Sequence, residues 1–227
     1  MARRGETIEN PLSGERMTFL KTTADTNGQS FEFEFHAPPG WTVSEHIHPH
    51  QEERTQMLSG TLDGRVAGEG ISLSPGEVRV VPPGIAHAWQ NPSDEEEARF
   101  SVTFCPALNM ESGFETAWGL ARDGKATKAG VPKNPLQLAV LASEHNDEVY
   151  VTGLPIPIQK ALMDTITLLA PVGRMLGYGA RYPEYGGPAE PPGRAEVSPT
   201  RGVVVATVTA FLLVLFLLRR RSRSPTR

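Results

Sequence analysis

Closely spaced turn signals divide the first half of this chain into short segments, and this spacing limits what the chain can fold into. One segment, FEFEF at residues 31–35, alternates aromatic and acidic residues, which is the period of a half-buried strand. We therefore expect Phe31, Phe33 and Phe35 to point inward. The turn signals are PPG at 38–40, DG at 63–64, GEG at 68–70, SPG at 74–76, PPG at 82–84 and NPSD at 91–94. Short strands between such turns predict an antiparallel β-sandwich or barrel that continues to residue 106.

After residue 106, the spacing of apolar residues is typical of helices rather than of strands. Residues 111–125 and 134–148 each carry a helix start signal, and residues 157–179 predict a third helix that Pro171 interrupts. Charged residues interrupt the apolar face of this third segment, so we expect it to pack on protein rather than on lipid.

Composition changes divide the chain into six regions. They are an N-terminal arm (1–30), a β-barrel (31–107), a helical extension (108–180), a Pro/Gly-rich linker (181–201), an apolar segment (202–218) and a basic tail (219–227). The seventeen uncharged residues 202–218 would span about 25 Å as a helix, just short of a hydrocarbon core of about 30 Å.

The apolar segment is either a short membrane anchor, which we favour, or a buried helix of a water-soluble protein. The chain shows no signal peptide at its start, so a C-terminal span would leave the barrel in the cytoplasm. The arginines that follow the segment conflict with this orientation, because positive charge is usually retained inside. The sequence therefore leaves open which way such a span would face, and whether the segment instead lies in the membrane interface.

Charge and cysteine content narrow the function classes. A net charge of −4 gives no basic surface for nucleic acid, so we expect no nucleic-acid partner. The single cysteine, Cys105, excludes an internal disulfide, and we expect it to be a small buried side chain.

The stretch SEHIHPHQEER at residues 44–54 concentrates metal-ligand chemistry. In a strand, His46 and His48 would share one face, and imidazole nitrogens suit divalent transition metals. His50 has the same parity, but Pro49 intervenes, so we place His50 at the rim of a pocket. His87 follows a Pro-Pro-Gly turn that directs the next strand back into the sheet, from where it could meet the first two histidines across a barrel.

These residues resemble the two sequence motifs of the cupin family, which here cover residues 30–106. The first motif is filled by Gly40, His46, His48, Glu53 and Gly60, and the second by Gly76, Pro82, Gly84, His87 and Asn91. The spacing to Gly60 favours Glu53 over Glu52. The resemblance implies an all-β core, a double-stranded β-helix (jelly-roll) barrel, followed by the helical extension and a C-terminal hydrophobic helix.

The resemblance also implies a divalent transition metal (iron, manganese, zinc or nickel) held by His46, His48, Glu53 and His87, with one or two coordination positions open. Trp89 either fills the core or forms a wall of the substrate pocket, and Phe104 lines the barrel. An apolar pocket beside the metal favours a small organic ligand.

Two function classes follow from this site. One is a metal-dependent enzyme of the oxygenase or isomerase type, which acts on a small organic molecule. The alternative is a non-catalytic, membrane-tethered module that binds or senses a small molecule. Cupins often pair through their sheets, so the resemblance also implies a homodimer.

Overall fold

The computed structural model describes residues 2–185 of the 227-residue chain. Within these residues the chain forms eleven strands, four α-helices and one 3₁₀ turn. The strands are β1 (Thr7–Asn10), β2 (Glu15–Lys21), β3 (Phe31–Ala37), β4 (Thr42–Ile47), β5 (Glu52–Ser59), β6 (Leu62–Val66), β7 (Glu69–Leu73), β8 (Val78–Val81), β9 (His87–Gln90), β10 (Ala98–Cys105) and β11 (Tyr150–Val151). The helices are α1 (Met110–Arg122), α2 (Pro135–His145), α3 (Ile156–Thr167) and α4 (Ala170–Met175), and the 3₁₀ turn is Pro183–Tyr185.

The described strands form two antiparallel sheets. The first sheet has the order β1-β2-β3-β10-β5-β8, and the second has the order β11-β4-β9-β6-β7. From β3 to β10, consecutive strands therefore lie in different sheets except for the hairpin of β6 and β7, as in a jelly roll. This confirms the predicted double-stranded β-helix core with helices after it.

The space between the sheets is filled mainly by aromatic side chains. Phe31, Phe33 and Phe35 are 0%, 2% and 6% exposed, which confirms the predicted inward face of β3. In the register between β3 and β10, Phe33 lies opposite Val102 and Phe35 lies opposite Phe100. Burying one such phenylalanine contributes about 1.5–3 kcal/mol, so this pairing is a main source of stability for the barrel.

Residues 1–30, which composition predicts to be an arm, contribute two strands to the first sheet. β2 pairs with β3, and its Met17 and Phe19 are fully buried. The region is rich in polar residues because the outward faces of β1 and β2 contact solvent, while Met17 and Phe19 on the inward face reach the core. It is thus part of the sheet rather than an arm outside it.

Cys105 is exposed, so the prediction that it is buried was wrong. It is the last residue of β10, and the side chains of this strand alternate between the two faces. Phe104 takes the inward position beside it, which leaves Cys105 on the outer face.

The helical extension packs directly on the barrel. Phe114 of α1 lies with its ring centroid 5.6 Å from that of Phe33, and Trp118 lies 6.1 Å from Phe35. Helix α2 begins where the Asn134 side chain accepts hydrogen bonds from two main-chain amides of its first turn. The predicted interruption of the third helix is confirmed, because α4 starts one residue before Pro171. The extension therefore covers one opening of the barrel.

Two parts of the C-terminal region differ from the composition boundaries. Strand β11 joins the second sheet next to β4, with Val151 opposite His46. Residues 181–185, placed in the linker, pack against α1, where the Tyr185 ring lies so close to Gly119 that a Cβ at this glycine would clash with it. The remainder of the linker, the apolar segment 202–218 and the basic tail lie outside the described residues. None of the helices between residues 2 and 185 combines the length and the hydrophobicity that a membrane span requires.

Candidate metal centre and its cavity

Four side chains, from strands β4, β5 and β9 and from the residue that follows β4, meet inside the barrel. His46 lies on β4, His48 lies one residue beyond this strand, Glu53 lies on β5 and His87 opens β9. Strands β4 and β9 are neighbours, and their register places His46 opposite His87. One ligand atom from each of the four residues lies within 4.8 Å of all the others. We refer to His46, His48, Glu53 and His87 as the candidate metal group.

The three histidines of the candidate metal group are oriented in the same way. Each places its Nδ1 at hydrogen-bonding distance from a main-chain carbonyl oxygen, which can only accept, so each Nδ1 carries the proton. The distances are 2.8 Å from His46 to Ser44, 3.1 Å from His48 to Glu148 and 3.0 Å from His87 to Ile85. In the neutral rings the metal-binding lone pair is therefore at Nε2. Metal-bound histidines are typically held by this kind of hydrogen bond.

The donor set fits a cation. His87 Nε2 lies 3.0 Å from Glu53 Oε2, so in a neutral ring two hydrogen-bond acceptors would face each other unless a proton or a cation lies between them. His48 Nε2 lies 3.5 Å from the same oxygen and is buried, with no hydrogen-bond partner among residues 2–185. Buried polar atoms normally have a partner, and a metal ion would supply one for both nitrogens.

The second oxygen of Glu53 is held by the barrel. Glu53 Oε1 accepts a hydrogen bond from Trp89 Nε1 at 2.8 Å and another from Thr55 Oγ1 at 3.1 Å. These bonds leave Oε2 as the oxygen that faces the imidazoles. Trp89 therefore does more than fill the core or line the pocket, because it orients one member of the candidate metal group.

Electrostatics keep the carboxylate charged. Burial opposes the ionisation of Glu53, but the imidazoles of His48 and His87 outweigh it and lower the pKa of Glu53. Burial also acts against a charge on His87, but its hydrogen bond to Glu53 prevails and raises the pKa of His87. Burial and the neighbouring His87 lower the pKa of His46 to about 4. In the metal-free protein a proton is thus favoured between His87 and Glu53, and a metal would have to displace it.

A cavity of about 700 Å³ opens next to the candidate metal group. This volume is within the range of about 300–1,000 Å³ that is usual for small-molecule sites. Barrel residues form one side of the cavity, mainly through aromatic side chains, and Trp89 and Phe104 are among them. The helical extension forms the other side through Met110, Phe114, Trp118, Leu141, His145 and Val149. The cavity therefore lies between barrel and extension and is open to solvent on part of its surface.

His50, which the sequence places at the rim of the pocket, does not line this cavity. Its side chain is 57% exposed and its Nε2 lies 3.0 Å from Asp147 Oδ2. Pro49 follows the end of β4, so the parity of the strand no longer holds at His50. The imidazole consequently contacts the loop of the extension rather than the candidate metal group.

Sequence reasoning missed two cavity residues, His145 and Glu148. The Glu148 carbonyl holds the ring of His48 although the two residues are 100 positions apart in the chain. In the sequence, the residues before Glu148 look like the polar end of a helix. The one available signal of a site was a histidine followed three residues later by a glutamate.

Comparisons with known proteins agree with this fold. A family model described as "Cupin domain" matches residues 33–104. A curated protein named polyketide synthase CurC, from Streptomyces cyaneus, is 34% identical over 58 residues, which are 26% of this chain and 38% of that protein. The chain thus matches less than half of the length of this relative.

Solved structures of low sequence identity also resemble part of the chain. A protein described as a predicted oxalate decarboxylase from Thermotoga maritima has a TM-score of 0.41 and 20% identity, over 47% of this chain and 99% of that one. An RmlC-like cupin from Shewanella frigidimarina has a TM-score of 0.40 and 21% identity, over 46% of this chain and 86% of that one.

Proposed function

We propose that this chain, in which residues 33–104 form a cupin domain, is a metal-dependent enzyme that acts on a small organic molecule. In this proposal His46, His48, Glu53 and His87 hold one divalent transition metal. Three imidazoles and one carboxylate leave one or two positions for substrate, or for substrate and dioxygen. Both an isomerase type and an oxygenase type of reaction fit this ligand set.

The observation that carries the proposal is the shared orientation of the three imidazoles. All three direct Nδ1 to main-chain carbonyls, and the Nε2 atoms of His48 and His87 approach the same oxygen of Glu53. A purely structural cluster would gain nothing from an unpartnered Nε2 on His48. When bound, the metal would act as a Lewis acid that polarises an oxygen of the substrate.

The other residues of the cavity would bind and enclose the substrate. The rings of Phe33, Phe35 and Trp118 lie beside one another and offer an apolar surface to a ring or hydrocarbon chain. Helix α1 lies over this surface, so a substrate bound between them would displace water beside the metal, which strengthens electrostatic interactions there. A metal Lewis acid polarises carbonyl oxygens, which supports a carbonyl compound as the substrate class; the curated relative is named as a polyketide synthase.

The test is metal analysis of protein that has been purified without oxygen, together with the variant His87→Ala. We expect about one equivalent of a transition metal in the parent protein and a large loss in the variant. Thr7→Ala, on the outer strand β1, is the control and should keep the metal. Equal metal content in parent protein and His87→Ala would contradict the proposal.

Activity then separates an enzyme from a binding module. The metal-loaded protein would be incubated with carbonyl compounds that carry an aromatic ring, and both product formation and the melting temperature would be followed. Turnover supports the enzyme. Stabilisation against heat without turnover would instead assign the protein to the binding or sensing class.

The membrane anchor and the homodimer are separate proposals that rest on the sequence. The uncharged residues 202–218 support a tether, and fractionation of the full chain beside a chain that ends at Arg201 tests it. If both chains stay in the supernatant, the tether is contradicted. Analytical ultracentrifugation of the shorter chain tests the homodimer.

A further inference from the structure

A second ionisable pair lines the cavity outside the candidate metal group. His145 is the last residue of α2, and its Nδ1 lies 3.3 Å from Glu148 Oε2. Its Nε2 is buried and has no hydrogen-bond partner among the residues that the structure describes. Because a carboxylate can only accept, Nδ1 donates to it and the free lone pair of the neutral ring is at Nε2.

Glu148 is held in place by hydrogen bonds to both its side chain and its main chain. Its Oε1 accepts a hydrogen bond from the Asn109 main-chain amide at 3.0 Å, and its side chain is buried. Its main-chain carbonyl accepts from His48 Nδ1. Glu148 therefore orients both His145 and His48, and His48 is a member of the candidate metal group.

His145 differs from the other ionisable residues of the cavity. Glu15 already accepts hydrogen bonds from Trp41, Asn10 and Ser13, so its oxygens are occupied. Glu148 is occupied as described. Outside the candidate metal group, His145 is thus the residue among the described cavity lining that combines an ionisable ring with an unused acceptor nitrogen. Buried acceptors of this kind normally have a partner, so a bound molecule with a proton to give would complete the site.

We propose that His145 is a catalytic base that removes a proton from the carbon next to a carbonyl group of the substrate, which rests on the function proposed above. The C–H bond breaks, its proton goes to His145 Nε2, and its electron pair forms a carbon–carbon double bond. The π pair of the carbonyl moves to the carbonyl oxygen, which faces the candidate metal group. Glu148 stabilises the resulting imidazolium, and His145 returns the proton to a carbon of the same molecule.

This assignment selects proton-transfer chemistry on an enolisable carbonyl compound over dioxygen chemistry. An imidazole held by a carboxylate is a common arrangement for general bases, since the carboxylate fixes the ring and stabilises its charged form. The aromatic surface on the barrel side would bind the apolar part of such a substrate. The expected substrate is therefore a ketone or 1,3-diketone that carries an aromatic or hydrocarbon group.

The first readout is the ¹⁵N chemical shift of the His145 ring in zinc-loaded, histidine-labelled protein. We expect Nε2 to be unprotonated at first and to shift toward the protonated value when benzoylacetone, an aromatic 1,3-diketone, is added. The exposed His50 provides the control resonance and should not move. A His145 signal that is unchanged by benzoylacetone would overturn the proposal.

The second readout uses a different compound, benzylacetone, which is an aromatic monoketone. NMR follows the exchange of the protons on the carbons next to its carbonyl group for deuterium in D₂O. His145→Asn keeps a donor for Glu148 but lacks Nε2, and we expect it to slow the protein-catalysed exchange about 100-fold, as is typical for loss of a general base. Added imidazole should restore part of the rate in His145→Gly. His50→Gln should exchange at the rate of the parent protein.

The outcomes separate the two proposals. Failure of the parent protein to bind zinc, or equal zinc content in His87→Ala, contradicts the metal-dependent function itself. Zinc binding with parent-like exchange in His145→Asn overturns only the role of His145. Zinc binding without any protein-catalysed exchange in the parent protein also overturns that role.

Discussion

Replacing Trp89 by phenylalanine should weaken metal binding even though Trp89 is not itself a ligand. The indole Nε1 donates to Glu53 Oε1 at 2.8 Å, and the side chain is only 4% exposed, so water cannot easily replace the lost donor. Phenylalanine retains most of the apolar packing but has no N–H group. Glu53 would keep one donor to Oε1, the Thr55 hydroxyl at 3.1 Å.

The size of the effect follows from the type of bond that is lost. A hydrogen bond to a charged group contributes about 1.5–3 kcal/mol. A factor of ten in affinity corresponds to about 1.4 kcal/mol. Residues that orient a metal ligand typically change metal affinity by about 10-fold to 100-fold. Because Thr55 remains, we expect a loss nearer the lower end, about tenfold.

The assay is competition for zinc between the protein and a chelator of known affinity. Trp41→Phe is the matched control, since Trp41 lines the same cavity and donates its indole N–H to Glu15 at 2.6 Å, away from the metal group. This variant should bind zinc as the parent protein does. Equal zinc affinity in Trp89→Phe and the parent protein would refute the claim that Trp89 orients Glu53.

Three further predictions concern the packing and charge of the site. Gly64→Ala places a Cβ 2.5 Å from Trp89 Cε3, so the indole must shift. Thermal unfolding should then show a clear loss of stability, and zinc affinity should fall. A variant with the stability and zinc affinity of the parent protein would mean that the indole moves freely. The pKa of His46 is lowered to about 4, so between pH 4 and 6.5 the unfolded chain binds more protons and the unfolding free energy of metal-free protein should rise with pH in urea titrations. His46→Gln should flatten that rise, and an equally steep rise would contradict the burial of the ring. Phe33→Ala should lower the unfolding free energy by about 3–5 kcal/mol in the same titrations, and a loss below about 1 kcal/mol would show that Phe33 is not part of the packed core.

Much of the barrel was predictable because its signals are local. The alternation in residues 31–35 gives the inward face of β3, and the parity of β4 gives His46 and His48 a common direction. The Pro-Pro-Gly turn at 82–84 locates the start of β9 and with it His87. Each of these inferences depends on neighbours within a few residues, where backbone geometry and side-chain periodicity dictate the result.

The cavity was not predictable in the same way, because its two sides come from distant parts of the chain. The apolar spacing of α1 and α2 predicts two helices but not that Phe114 contacts Phe33 or that His145 lines the same cavity as His48. The bond from His48 to the carbonyl of Glu148 joins positions 100 residues apart and involves the main chain, which leaves no mark on residue type. Cys105 was misassigned although its signal is local, since the alternation that turns Phe104 inward places Cys105 on the outer face.

The most direct test of the metal centre is X-ray absorption spectroscopy of the zinc-loaded protein. The arrangement of His46, His48, Glu53 and His87 predicts one zinc with three imidazole nitrogens at about 2.0–2.1 Å and a carboxylate oxygen at about 2.0–2.2 Å. Scattering from three imidazoles should fall to two in His87→Ala if any zinc remains bound. A first shell of oxygen atoms alone, without imidazole scattering, would contradict the central claim that these four side chains bind one cation inside the barrel.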